Sequence, residues 1–357
     1  MTHVQRQFRL WPVLALAALA ASSCSSSAPT TAVADSQSTE TASATDALSP
    51  QDSTGADTAV DGATAKPVQW ATAYAVTATY PEGGAYDGAG QAFFVGSLGN
   101  GSVHRVDATT GKNTEVFVET AKGIWWTLGM DVQAAPHRLW VCAMDDRSPE
   151  LRAGFIWVFD LTTGKRVANH PLAAAAKDAT CTDVVVAKDG SAYVVDRENP
   201  NVYRVDLQTG ATLFASSPDL KGGLAGQNAV VLLPDESALL TVVYLPPKLV
   251  RIDMASKAVQ AVQLEGAFSD DALLAGADGM AYVNGDVYVA FSTKLARIKP
   301  KSANWTQAVA TMALAGKGMT DVIHTPNGLY LLNGQAIRFA LGQAPDPFAL
   351  VRFDGAL

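Results

Sequence analysis

The chain is predicted to be all-β, a six-bladed β-propeller, and three observations predict it. One strand motif recurs six times, a second strand stands upstream of each copy, and a spare strand at one end of the domain matches a missing strand at the other. The motif reads Ser102-Val-His-Arg-Val-Asp107, Phe155-Ile-Trp-Val-Phe-Asp160, Asn201-Val-Tyr-Arg-Val-Asp206, Lys248-Leu-Val-Arg-Ile-Asp253, Lys294-Leu-Ala-Arg-Ile-Lys299 and Ala349-Leu-Val-Arg-Phe-Asp354. Its copies start roughly 46 to 55 residues apart, the length of a propeller blade.

The upstream strands are Ala92-Phe-Phe-Val95, Leu139-Trp-Val-Cys142, Ala192-Tyr-Val-Val195, Leu239-Leu-Thr-Val242, Val287-Tyr-Val-Ala290 and Leu329-Tyr-Leu-Leu332. Several follow Asp-Gly or Asn-Gly pairs (Asp189-Gly190, Asn284-Gly285, Asn327-Gly328), which close hairpins because both turn positions tolerate positive φ. An inner strand of small and β-branched residues precedes each hairpin, as in Asp183-Val-Val-Val186. A further extended stretch follows the first five third-strand copies, which makes four strands per unit. The sixth unit lacks its fourth strand, and Ala73-Tyr-Ala-Val-Thr-Ala-Thr-Tyr80 is a strand without a unit. Joining the two closes the ring and removes both exposed edges. The rival architecture is a seven-bladed ring with one blade that lacks the motif.

The N-terminus has a different composition. Arg6 and Arg9 precede an apolar run from Leu10 to Ala21, too short to span a bilayer, and small residues then lead to Cys24. Residues 1–23 are expected to be a lipoprotein signal peptide. Leu19-Ala-Ala-Ser-Ser-Cys24 resembles a bacterial lipobox, which makes Cys24 the lipidated first residue of the mature protein; the alternative is a cleaved signal with an incidental cysteine. Ser25 rather than Asp after the cysteine fits the pattern sent to the outer membrane, so the expected location is the bacterial cell envelope, lipid-anchored and facing the periplasm or the exterior. Residues 24–66 are expected to form a disordered tether. Between Ser25 and Ala65 the chain has six acidic residues, no Lys or Arg, and too few apolar side chains to offset chain entropy. With the signal arginines and the tether set aside, the total of −8 leaves −4 for residues 66–357, so the propeller (67–357) has no basic face for nucleic acid.

Inner strands start at one mouth of a propeller channel, so equivalent starts converge there although distant in sequence. Counting back from each hairpin gives Glu82 in blade one, Leu128 or Gly129 in blade two, Thr182 with Asp183 beside it in blade three, Asn228 in blade four, Asp278 in blade five, and Thr320 with Asp321 in blade six. No Lys or Arg stands at these positions, so the carboxylates require a cation or protons. Carboxylate and amide oxygens without imidazole or thiolate suit a hard divalent ion such as Ca2+.

On these residues, residues 73–357 resemble the family of regucalcin (senescence marker protein), gluconolactonase and luciferin-regenerating enzyme, six-bladed propellers with a divalent metal in the channel. The resemblance implies that Glu82, Asn228 and Asp278 hold the metal and that Asp278 also acts in catalysis. The family's blade-three asparagine is replaced by Thr182; Asp183 and Asp321 are additional mouth candidates, each one register step from its slot. The expected function is hydrolysis of a small-molecule lactone or related ester; the competing class is a non-catalytic propeller that binds a ligand or a partner protein on its top face. Trp125 and Trp126 before blade two are candidate walls of a substrate pocket, with core packing as the alternative. Cys142 and Cys181 fall at the same mouth in neighbouring blades, open either to a disulfide across the blades or to two buried thiols. The histidines His104, His137, His170 and His324 fall on strands and a hairpin away from the aligned starts.

Overall fold

The computed structural model describes residues 70–119, 121–147 and 153–355. The expected signal peptide (residues 1–23), the expected tether (24–66) and Cys24 lie outside the described residues. β1 (Ala73–Ala75) precedes blade one, which consists of β2 (Gly84–Asp87), β3 (Ala92–Val95), β4 (Val103–Asp107) and β5 (Asn113–Phe117). Blade two follows as β6 (Trp125–Gln133), β7 (Arg138–Asp145), β8 (Ala153–Asp160) and β9 (Lys165–Pro171), and blade three as β10 (Asp183–Val186), β11 (Ala192–Val195), β12 (Asn201–Asp206) and β13 (Gly210–Ser216). Blade four is β14 (Ala225–Leu232), β15 (Ala238–Leu245), β16 (Lys248–Asp253) and β17 (Val259–Ala261). After β18 (Gln263–Glu265), blade five is β19 (Met280–Val283), β20 (Asp286–Ala290), β21 (Lys294–Pro300) and β22 (Gln307–Leu314). Blade six is β23 (Met319–Thr325), β24 (Gly328–Asn333) and, after the short helix α1 (Ala336–Ala340), β25 (Ala349–Arg352).

The six sheets are the six expected blades. Ring closure is as the two ends imply: β1 pairs antiparallel with β25, Tyr74 opposite Leu350, and completes blade six. Tyr74 then donates its hydroxyl to the Ala108 carbonyl of blade one at 2.6 Å, so the closing strand also ties the last blade to the first. Two features carried no repeat signal. β18 adds to β22 in parallel, giving blade five a fifth strand, and residues 334–348 insert α1 between the second and third strands of blade six.

The core is distributed over the blade interfaces, because alternate residues of each strand face opposite neighbours. In β11, Ala192 and Val194 pack toward blade two, whereas Tyr193 and Val195 pack toward blade four. Blades six and one meet through Phe93, Val95, Ile323, Tyr330 and Leu332, and Trp70 and Tyr74 seal that seam. The aspartate that ends the repeated motif has a local cause. Asp107, Asp160 and Asp206 each accept backbone N–H bonds from residues two and three positions on, at 2.8 to 3.1 Å, and so fix the turn into the outer strand. These bonds hold the three carboxyls below the usual range. Blade five has Lys299 at this point, and its third strand runs on to Pro300.

No helix among the described residues is long and apolar enough to cross a membrane. Cys142 of β7 and Cys181 just before β10 form a disulfide across blades two and three, with Cα atoms 5.4 Å apart. The 39-residue separation makes this a long closed loop, and loop-closure entropy assigns such a cross-link about 4 kcal/mol of stability. Cys142→Ala with Cys181→Ala should therefore lower the melting temperature by roughly ten degrees in scanning calorimetry. The wild type should melt at that lower temperature in reductant. An unchanged melt would show that the bridge contributes nothing.

Candidate functional site

The inner strands approach one another so closely at the mouth that side chains and backbone of adjacent blades interlock. Asp183 of β10 accepts a hydrogen bond from its neighbour Val184 N at 2.8 Å and another from Val230 N of blade four at 2.9 Å. Asp321 of β23 repeats the arrangement across the ring seam, accepting from Val322 N and from Gly84 N of blade one, both at 2.8 Å. Asp131, further along β6, accepts from Val132 N and from Val186 N of blade three at 2.8 Å. These carboxylates are latches between blades. The latches demand glycine opposite: a Cβ on Gly129 would stand 2.0 Å from Asp183 Oδ1, and one on Gly279 would stand 1.9 Å from Asp321 Oδ1. The Asp278-Gly279 pair therefore has a packing reason for its glycine.

Glu82, Asn228 and Asp278 converge within this frame, from blades one, four and five. They are 8%, 6% and 7% exposed. Asn228 Nδ2 donates to Asp278 Oδ1. Burial pushes the Glu82 carboxyl up to about 7, opposed by the positive charge of Arg197. Asp278 is raised well above the carboxylate range, first by burial and then by the charges of Glu82 and Asp321, against the pull of Arg197 and the Asn228 bond. Burial likewise lifts Asp321 to about 8, with its two N–H bonds opposing and Glu82 adding to the rise.

Arg197 is the residue that counting back from hairpins missed. It follows β11, whose end reaches the same mouth as the start of β10, and it is 9% exposed. Tyr244, near the end of β15, occupies the corresponding place in blade four; burial and the Asp278 charge raise its hydroxyl pKa, Arg197 lowers it, and the hydroxyl donates to the Leu274 carbonyl at 2.8 Å. The aligned inner-strand starts lack Lys and Arg, but a second-strand end supplies a guanidinium. Reading both strand ends that reach the mouth would have found Arg197 and Tyr244.

The remaining candidates separate. Thr182 is buried, its carbonyl accepts from Gly129 N at 2.9 Å, and its hydroxyl has no hydrogen-bond partner among the described residues. Trp126 is buried with its ring edge-on to Phe339 of α1 at 5.9 Å, and Phe339 in turn lies 5.0 Å from Tyr80, two residues before Glu82. Trp125 instead packs against Phe155 and Trp157 of the third strand, 5.5 and 5.4 Å away, toward the outer part of the blade. Of the two tryptophans, only Trp126 joins the aromatic group formed with α1. His104 hydrogen-bonds Ser102 and Thr77, and His137 pairs with Asp87 at 2.9 Å in a crevice between blades one and two, at the hairpin end of the blades.

The donor chemistry of the mouth fits a hard divalent ion. Among the described residues no three His, Cys, Asp or Glu side chains form a metal-holding group, so such an ion needs the Asn228 amide oxygen beside the two carboxylates. A half-turn of that amide exchanges its nitrogen for its oxygen.

No protein-family model matches the chain, and no curated protein does. Solved structures do. The major allergen Mala s 1 of Malassezia sympodialis is 19% identical over 80% of this chain and 97% of its own, with a TM-score of 0.65. A gluconolactonase from Xanthomonas campestris is 16% identical over 78% and 87%, with a TM-score of 0.54. The aldose sugar dehydrogenase of Streptomyces coelicolor, in a PQQ-bound form, is 15% identical over 80% and 98%, with a TM-score of 0.52. The likeness is one of fold. A gluconolactonase and a sugar dehydrogenase sharing one propeller also show that the scaffold does not choose the chemistry.

The channel carboxyls make stability depend on pH, with a definite sign. Asp131, lifted to about 6 by desolvation in the channel, and Asp321 at about 8 hold protons in the folded protein that they lose near pH 4 when unfolded. Their contribution is fully present below pH 4 and is lost as pH rises through 6 to 8. In chelator, the melting temperature should fall by a few degrees between pH 5 and pH 8, and Asp321→Asn should flatten the fall. A melt that rises across this interval contradicts the assignment.

Proposed function

We propose that this protein is a calcium-dependent hydrolase of a lactone or related ester, exported and anchored to the cell envelope through a lipid on Cys24. The observation that carries the catalytic reading is the convergence of Glu82 and Asp278, buried and from different blades, with Asn228 bonded to Asp278. Glu82, Asn228 and Asp278 would hold the ion. When bound, a divalent ion supplies a Lewis acid beside the reacting carbonyl.

The chain's own groups supply the rest. Asn228 fixes the orientation of the Asp278 carboxyl by hydrogen bonding to it. Asp278 takes a proton from water as the water oxygen adds to the carbonyl carbon. The ring C–O bond then breaks, and the proton passes to the departing alkoxide, leaving a hydroxy acid. Trp126, Phe339 and Tyr80 form an apolar group near the Glu82 side of the mouth, which limits water there. The second reading, a non-catalytic ligand-binding propeller, is favoured by one observation: blade three offers Thr182 where the resembling family has an amide.

Calcium at about a hundred times its dissociation constant should stabilise the domain by roughly 2.7 kcal/mol, and chelator should reverse the shift. Asp278→Asn keeps an oxygen but removes the base, so turnover of a lactone panel should fall by about two to four orders of magnitude, with a smaller loss of calcium affinity. Glu82→Gln should chiefly weaken calcium. A calcium-shifted melt with no lactone or ester turned over would establish the binding-module reading; no shift at all would remove the metal. Cys24→Ser should move the protein out of the membrane fraction of its host, and retention there would refute the lipid anchor.

A further inference from the structure

The crevice between blades one and two lies at the opposite end of the blades from the mouth, because the hairpins after β2 and β6 and the turn after β8 bound it. Its volume is about 240 Å³. Phe94, Val103, Phe117, Leu139 and Phe159 form its walls, with the Phe117 and Phe159 rings 4.7 Å apart. Val116, which also lines it, is 42% exposed and marks its open side.

Three polar side chains share this lining, and two of them are held by the protein itself. Arg105 donates Nη2–H to the Gly90 carbonyl at 2.8 Å and Nη1–H to Asp107 at 3.2 Å. The buried Asp87 carboxylate accepts from Ala89 N at 3.0 Å and pairs with His137 Nε2 of the next blade at 2.9 Å. That pair fixes the imidazole ring, and the His137 carbonyl is fixed in turn by the Leu161 N–H at 3.0 Å. A carboxylate only accepts, so Nε2 carries the proton and the neutral ring keeps its lone pair on Nδ1. Among the described residues Nδ1 has no hydrogen-bond partner. The crevice therefore joins apolar walls to one oriented acceptor.

We propose that this crevice is a second binding site, separate from the mouth, for a neutral aromatic compound of one or two rings that carries one O–H or N–H donor. Its size sets the upper limit, because pockets for drug-sized ligands hold roughly 300 to 1,000 Å³. Neutrality follows from the lining: Asp87 and Asp107 oppose an anion and Arg105 opposes a cation, while each of these charges already has a partner in the wall. A flat ring gains edge and face contacts with the Phe94, Phe117 and Phe159 side chains. Its donor then meets His137 Nδ1. The site does not depend on the metal-dependent reading of the mouth.

Calorimetry and methyl NMR of the full chain test this with 3-methylindole and 1-methylindole, isomers of which only the first has an N–H. The first should bind about three- to tenfold more tightly, the effect of one hydrogen bond, and shift the methyl resonances of Val103, Leu139 and Leu161 while Leu128, near the mouth, stays in place. Indole-3-carboxylate should bind more weakly than either. His137→Phe should bring the isomers to equal affinity by weakening 3-methylindole. Val116→Trp, at an exposed edge position, should weaken both by filling the entrance. Equal binding of the isomers by the wild type, or a preference for the carboxylate, overturns the proposal without any variant. So do shifts confined to Leu128, no shift at about 1 mM ligand, and an N–H preference that survives in His137→Phe.

Discussion

The structure depends on how closely six inner strands can approach around one channel. Adjacent blades come near enough that a carboxylate on one inner strand accepts an N–H from the next, as Asp183 does from Val230 and Asp321 from Gly84. That spacing forces glycine at 129 and 279 and encloses several acids in one desolvated space. The same closeness that locks the ring thus crowds acids into a desolvated mouth, where burial raises the carboxyls of Glu82, Asp278 and Asp321.

The acids divide by what they touch. Asp131, Asp183 and Asp321 each receive two backbone N–H bonds, so their oxygens are occupied in holding blades together. Among the described residues, neither Glu82 nor Asp278 receives a backbone N–H; the bond to Asp278 comes from the Asn228 side chain, and Glu82 feels Arg197 through charge. Oxygens without backbone partners are the ones able to turn to an ion, a water or a substrate. Asp183 and Asp321 stand one register step past the aligned Thr182 and Thr320, whereas Asp131 lies further along its inner strand.

Most of the fold was legible because a propeller repeats. The third-strand motif marks each blade, and its terminal aspartate does a local job, capping the next turn, that any blade can reuse. Closure was readable from the unpaired ends. What escaped were the features that occur once: β18 adding in parallel to blade five, and the helical insertion in blade six that places Phe339 beside Trp126. A single insertion has no register to count from.

The candidate site was half legible for a geometric reason. A mouth is lined by two sets of strand ends, the starts of inner strands and the finishes of second strands, because the two are antiparallel. Aligning only the first set finds Glu82, Asn228 and Asp278 and leaves the charge unbalanced. The second set brings Arg197 and Tyr244, and with them the sign of the field changes from blade to blade. Blades one, three, five and six present carboxylates, and blade three also presents the guanidinium of Arg197 beside Thr182.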